Sequence, residues 1–138
     1  MADIHIADFH RDSAAILVAL FRNFPRKVQL FVDDIAGSAE PDEFGLPSPR
    51  HQACFATMVW LAEAGYISYL SPIRQEALDQ ATLSHMAFTL LSSPSRIPNL
   101  EHPGKTHIAT IRAALKSGSS DHVQSAVLHL FEQSQRLR

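Results

Sequence analysis

A chain of 138 residues with 46% hydrophobic and 19% charged residues has the composition of an ordinary globular protein, long enough to bury a core without metal or disulfide support. A net charge of -2 and a pI near 6.4 argue against strong nonspecific binding of nucleic acid, which needs a basic excess. The single cysteine, Cys54, excludes an internal disulfide. No signal-peptide pattern and no run of about 20 apolar residues is seen, so we expect a soluble, cytoplasmic protein without a membrane partner.

The first predicted helix begins near Asp12 or Ser13, because either side chain can accept a hydrogen bond from the first helical turn. Apolar residues then recur at helical spacing, at Ile16, Leu17, Leu20, Phe21 and Phe24. Pro25 ends the helix, since the residue before a proline is disfavoured in the helical conformation.

A short strand, a brief helix and a loop follow. Residues 28–31 are β-prone and predict a first strand. Asp33 and Asp34 favour the start of a second helix, where carboxylates interact well with the positive end of the helix dipole. Gly37 closes that helix. Residues 38–47 are rich in proline, glycine and acidic residues and predict a loop.

The third helix has clear signals at both ends. Ser48 can cap it, and Pro49 takes the first helical position, where its missing N–H is not needed. The helix is predicted over residues 49–64, with Gly65 ending it.

A hairpin and a fourth helix come next. Residues 66–69 predict one strand, residues 71–72 the turn, and residues 78–83 the returning strand. Ser84 caps a fourth helix that ends before Pro94.

The C-terminal part predicts two more helices behind a connector. Residues 94–104 contain three prolines and a glycine and form the connector. A fifth helix covers residues 106–117 and is broken by Gly118, and Ser119 or Ser120 caps a sixth.

Two segments carry a resemblance to a known family. They are the helix end at residues 61–67, Leu-Ala-Glu-Ala-Gly-Tyr-Ile, and the strand-to-helix passage at residues 81–88, Ala-Thr-Leu-Ser-His-Met-Ala-Phe. On these, residues 14–91 resemble the winged helix-turn-helix family. The resemblance implies a recognition helix over residues 49–64, a wing around residues 70–77, and binding, usually of DNA, in place of chemistry.

The predicted fold class is therefore α+β and mostly helical, a winged helix-turn-helix with a two-helix C-terminal extension. We expect residues 1–93 to form the winged-helix domain. Residues 94–138 are then a connector and a helical pair that packs on this domain or on a dimer partner. The long acidic loop before the recognition helix departs from the common pattern of the family, and its acids would repel phosphate.

The two faces of the recognition helix differ in chemistry. At about 100° per residue, the predicted core side contains Cys54, Phe55, Met58, Leu61 and Ala62. The opposite side contains Gln52, Ala53, Ala56, Trp60 and Glu63, with Thr57 and Ala64 at its edge. After Arg50 this helix has no Lys or Arg, although groove-reading helices rely on Arg, Lys, Asn or Gln. Ala, Thr and Trp suit a protein surface better.

The predicted function is that of a small DNA-binding transcriptional regulator, and the alternative, of a different class, is a protein-interaction module. A small DNA-binding regulator, acting as a dimer on double-stranded DNA, would contact bases through Arg50, Gln52 and Thr57 and phosphates through Arg26, Lys27 and Arg74. A protein-interaction module that does not bind DNA would use Ala56 and Trp60, facing a second copy or another protein. Trp60 has three alternative covers: the chain's own C-terminal helices, a homodimer partner, or DNA. For the basic residues, plain solvation is the alternative.

No pattern predicts an enzyme, a metal site or a cofactor. The spacing of His5 and His10 matches no known ligand pair, and His122 and His129 could share a helix face but lack a completing ligand. Cys54 should point inward, where a buried thiol is inert. The five glycines are scattered, so no phosphate-binding loop is formed.

Overall fold

The computed structural model describes residues 3–38, 41–95 and 105–136. In chain order the described elements are α1 (Ile4–Asn23), β1 (Val28–Phe31), α2 (Val32–Ala36), α3 (Pro49–Glu63), β2 (Ile67–Ser68), β3 (Ser71–Ile73), β4 (Ala77–Leu83), α4 (His85–Leu91), α5 (His107–Ser117) and α6 (Ser120–Arg136). The fold is α+β and mostly helical, with one small antiparallel sheet. None of the helices in the described residues is both long and apolar enough to cross a bilayer.

Helix α1 begins earlier than predicted. It starts at Ile4, after Asp3 at the N-cap, and runs to Asn23. The prediction of a start at Asp12 or Ser13 was wrong, because both residues lie buried inside the helix. A carboxylate is tolerated there when a distant partner satisfies it, and Asp12 accepts hydrogen bonds from a residue of α3.

Local caps set the ends of the later helices as predicted. The Ser48 hydroxyl accepts a hydrogen bond from the His51 amide at 3.1 Å, and the Ser84 hydroxyl accepts one from the Ala87 amide at 3.1 Å. Gly65, with φ of +89°, follows the end of α3 in a backbone conformation that side chains disfavour. These predictions are confirmed, since cap chemistry acts within one helical turn.

The sheet is organised around β4, which pairs with β1 on one side and with β2 and β3 on the other. Ile67 faces Leu83, Ser71 faces Asp79, and the register continues unchanged between these pairs. Strands β2 and β3 therefore form one interrupted arm of a hairpin, and the predicted antiparallel pair is confirmed.

The predicted turn at residues 71–72 was wrong. Pro72 lies in β3, opposite Leu78, and the chain reverses at residues 74–76, where Arg74 has a φ of +52°. A proline is compatible with this position because β3 pairs on one side only, so its missing N–H can face away from the sheet.

The C-terminal helices α5 and α6 pack against α1 of the same chain. Their buried residues share one core with those of α1, α3 and the sheet: Ile108, Ile111, Val123, Ala126, Val127 and Leu130. The Ser95 amide donates to the Lys105 carbonyl, and the His107 amide donates to the Ser93 carbonyl at 2.9 Å. These bonds join the end of α4 to the start of α5. Most of the predicted connector, residues 96–104, lies outside the described residues.

Candidate interaction surface

The N-terminal end of α3 is joined to α1 by an ion pair. Arg50 donates through both terminal nitrogens to the carboxylate of Asp12, one of them at 2.7 Å, and its Nε lies 3.9 Å from Asp8, one turn earlier on α1. The Asp12 side chain is 1% exposed. The hydrogen bond to Asp12 raises the pKa of the Arg50 guanidinium. This side chain, predicted to reach a base, is held against its own protein in bidentate geometry.

Cys54 and Thr57 lie further along α3, and both are buried. Burial raises the pKa of the Cys54 thiol to about 12, so it stays protonated at neutral pH, and its predicted inward position is confirmed. Thr57 was expected at the exposed edge of the helix, which is wrong. Its hydroxyl donates to the Ala53 carbonyl at 3.0 Å. Because α3 packs against both α1 and α2, a larger part of its circumference is buried than one neighbouring helix would cover.

The remaining polar residues near this end also have partners within the chain. Gln52 is exposed, but its side-chain amide donates to the Pro47 carbonyl at 2.9 Å. A ring nitrogen of His51 lies 2.6 Å from the Gln75 carbonyl at the hairpin tip. The start of α3 is thereby tied to the tip of the hairpin.

The basic residues predicted to contact phosphates do not converge. Arg26, Lys27 and Arg74 are all exposed. Arg26 and Lys27 precede β1, whose first residue, Val28, pairs with Ala81 near the far end of β4, whereas Arg74 lies at the hairpin tip, before β4 begins. At about 3.3 Å per residue along a strand, the two groups are roughly 15–20 Å apart.

The C-terminal end of α3 has a different character, because Trp60 lies among aromatic rings from three other segments. Its ring centroid is 5.1 Å from Phe9 of α1, 5.5 Å from Phe131 of α6 and 6.3 Å from Tyr66. The Tyr66 hydroxyl donates to Ser134 of α6 at 2.5 Å, since the Ser134 hydroxyl itself donates to the Phe131 carbonyl. Trp60 nevertheless remains 42% exposed, so α1 and α6 of its own chain cover it only in part.

Further apolar side chains extend this aromatic cluster over the surface. Ile6 precedes Phe9 by three residues on α1, and Leu128 precedes Phe131 by three on α6, so helical spacing places each pair on one side. Ile6, Leu128 and Ala56 are exposed. The resulting three-helix patch consists of Ile6, Phe9, Ala56, Trp60, Leu128 and Phe131. Sequence reasoning found Ala56 and Trp60 but missed the part from α1, although Ile6 and Phe9 extend the helical spacing of Ile16 backwards.

Two histidines lie together between α5 and α6, a pair that the sequence did not predict. The ring centroids of His107 and His129 are 5.4 Å apart, and His107 is buried. Burial, followed by the neighbouring His129, lowers the pKa of His107 to about 4. Among the described residues no three His, Cys, Asp or Glu side chains are grouped as metal ligands.

No family model, curated protein sequence or solved structure matches this chain. The Asp12–Arg50 ion pair lies at one end of α3, and the three-helix patch lies at the other. They divide α3 into a polar end with internal partners and an apolar end that remains open.

Proposed function

We propose that this chain is a non-enzymatic winged-helix module that binds another protein through the three-helix patch. The order of its elements supports the winged-helix assignment: α1, β1, α2 and α3 are followed by an antiparallel hairpin. The helix end at Gly65 and the helix entry at Ser84 agree with the same family. In this assignment α3 is the recognition helix, and residues 74–76 form the tip of the wing.

The observation that carries the binding proposal is the state of Trp60. It is the only tryptophan of the chain, and contacts with three aromatic rings position it while 42% of it faces solvent. A large aromatic side chain that is already positioned loses little conformational entropy when a partner covers it. Tryptophan is also among the residues that contribute most to protein interfaces.

DNA binding is the alternative function, and the placement of its predicted residues gives it less support. Arg50 is held by two carboxylates of α1, and Thr57 is buried. A DNA contact would depend on Gln52 and on the exposed Arg26, Lys27 and Arg74, which do not converge, within a chain of net charge -2. Binding of a protein through the three-helix patch does not require Arg50 or Thr57 to leave its contacts within the chain.

A photo-crosslinking amino acid at Ala56 tests the proposal in cells. We expect one discrete crosslinked protein, lost with Trp60→Ala because the patch loses its central ring. The matched control is Leu70→Ala, which removes an exposed apolar side chain of the hairpin and should leave the crosslink intact. With the purified partner, Trp60→Ala should weaken binding by about 30-fold, the size of an interface hot spot of about 2 kcal/mol.

A labelled random duplex distinguishes the alternative. We expect no shift of the duplex at physiological salt. A shift that weakens steeply with salt, is reduced by Arg74→Ala and Lys27→Ala, and is unaffected by Trp60→Ala would replace the protein-binding proposal with DNA binding.

A further inference from the structure

The segment between Lys27 and Arg50 carries five acidic residues and no Lys or Arg: Asp33, Asp34, Glu40, Asp42 and Glu43. Within it, residues 42–46 form a closed turn. The Asp42 amide donates to the Leu46 carbonyl at 3.0 Å. One carboxylate oxygen of Asp42 accepts from the amides of Phe44 and Leu46, both at 2.9 Å. The turn is therefore held by its own hydrogen bonds.

This turn presents two apolar side chains to solvent. Phe44 is 79% exposed and Leu46 is 56% exposed. Gly45 between them has a φ of +77°, which allows the chain to reverse within the turn. Asp42, Glu43, Phe44 and Leu46 together form an acidic knob, in which an aromatic ring projects among carboxylates.

A surface of opposite charge lies around the end of α1. The Phe24 and Phe88 rings stack with centroids 4.2 Å apart, and Phe21 stacks on Phe88 at 5.8 Å. All three rings are half-buried. The guanidinium of Arg112 lies 5.5 Å from the Phe21 centroid. The exposed residues Arg22, Arg26 and Lys27 are next to these rings in the chain.

This basic aromatic face, defined by Phe21, Arg22, Phe24, Arg26, Lys27, Phe88 and Arg112, complements the acidic knob in charge and in ring content. No Asp or Glu occurs between Asp12 and Asp33, so the part of the face in that segment is without acidic residues. On such a surface, arginine and lysine can pair with carboxylates, and the neighbouring aromatic rings can stack with a further ring.

The knob and the face lie at opposite ends of the sheet. The knob precedes α3, whose start is tied to the hairpin tip through His51 and Gln75. Val32, at the start of α2, also donates to Glu76 at this tip. The face, in contrast, adjoins the first residue of β1, far from the tip. The knob of one chain is thus remote from its own face and available to another copy.

We infer that the acidic knob of one copy docks on the basic aromatic face of a second copy, head to tail. Phe44 packs against the Phe24–Phe88 stack, while the carboxylates of the knob pair with Arg26 and Lys27. Such a heterologous contact leaves one knob and one face unoccupied at the ends, so it continues into open chains or closes into a ring. It involves neither Trp60 nor the rest of the three-helix patch.

Two variants with separate defects test this arrangement. The knob variant carries Glu43→Gln and Phe44→Ser, and the face variant carries Arg26→Gln and Lys27→Gln; all four positions are exposed. By sedimentation velocity, the mass of the natural protein should rise with concentration. Its self-association should weaken by at least ~10-fold between roughly 50 and 500 mM salt, where screening of charge increases.

Each variant alone should remain monomeric, because no compatible pair of surfaces is left. An equimolar mixture of the two should form a one-to-one dimer and nothing larger, since one intact knob meets one intact face. Leu70→Ser, which changes an exposed apolar residue outside both surfaces, should associate like the natural protein.

A natural protein that stays monomeric at low salt, or a mixture that forms no dimer, would overturn the inference. So would loss of self-association in Trp60→Ala, which would assign it to the three-helix patch. Conversely, failure of the Ala56 crosslink leaves this result unaffected, so the two proposals fail separately.

Discussion

The two ends of α3 differ in how their side chains are satisfied. At the N-terminal end, Arg50, His51 and Gln52 all have partners within the chain. At the C-terminal end, Trp60 is positioned by three rings but remains 42% exposed. The polar end has little unmet hydrogen-bonding capacity to offer a DNA groove, whereas the apolar end still has surface to bury. This helix can therefore contribute to recognition mainly through its exposed apolar surface and less through its polar side chains.

The largest expected effect comes from a comparison of two neighbouring residues at the apolar end of α3. Leu61→Ala should lower the free energy of unfolding by about 4 kcal/mol, because Leu61 is fully buried and its truncation leaves a cavity. Trp60→Ala should cost only about 1–2 kcal/mol of stability, since much of the ring is already hydrated. Urea unfolding measures both. Equal losses would mean that Trp60 is a core residue, and the contrast between the two ends would fail.

Arg50→Ala tests the polar end. Removing the guanidinium leaves the buried Asp12 carboxylate without its partner, so we expect a loss of about 3 kcal/mol in unfolding free energy. Asp12→Ala should cost less, because Arg50 is one-third exposed and can turn to solvent. If Arg50→Ala leaves the free energy of unfolding unchanged, the pair with Asp12 is not the contact that holds the Arg50 side chain.

Acidic pH should destabilise the packing of α6, because His107 lies beside His129 of that helix. The apolar end of α3 should be affected as well, since α6 supplies Phe131 and Leu128 to the three-helix patch. His107 is held neutral with a pKa of about 4, against an ordinary value of 6.5, so between these pH values the unfolded chain binds more protons. The stability that depends on a neutral His107 is fully present above pH 6.5 and is lost as the pH falls towards 4. Unfolding free energy should drop by about 2 kcal/mol between pH 7 and pH 5.

His107→Gln should flatten this pH dependence, whereas His122→Gln, at an exposed position of α6, should leave it unchanged. The measurement is chemical unfolding at a series of pH values. A slope that survives His107→Gln would assign the acid sensitivity to another group, such as the buried His10, whose pKa is also lowered by burial.

The smallest expected effect concerns the start of α3. Ser48→Ala removes the hydroxyl that caps the His51 amide and should cost about 1 kcal/mol, while leaving the Ala56 crosslink in place. Ser48→Asp restores an acceptor and should recover most of the loss. If the substitution also abolished the crosslink, the two ends of α3 would not be independent.

Interactions over long sequence separations were beyond the reach of sequence reasoning. Asp12 was read as a cap because capping is the common local use of an aspartate, yet its partner is Arg50, 38 residues away. Thr57 was placed at an exposed edge because helical periodicity assumes one buried face, whereas α1 and α2 both cover α3. Phe9 was missed because the start of α1 was placed too late.

The sequence by itself determined what depends on a few neighbouring residues. The caps at Ser48 and Ser84, the reversal at Gly65, the inward side of α3 and the order of most elements all follow from contacts within about one turn or from helical and strand periodicity. Only the tertiary structure decided that Arg50 is enclosed and Trp60 is left partly open. Both outcomes depend on how α1 and α6 cross α3, and such packing is the joint result of many weak contacts between distant segments.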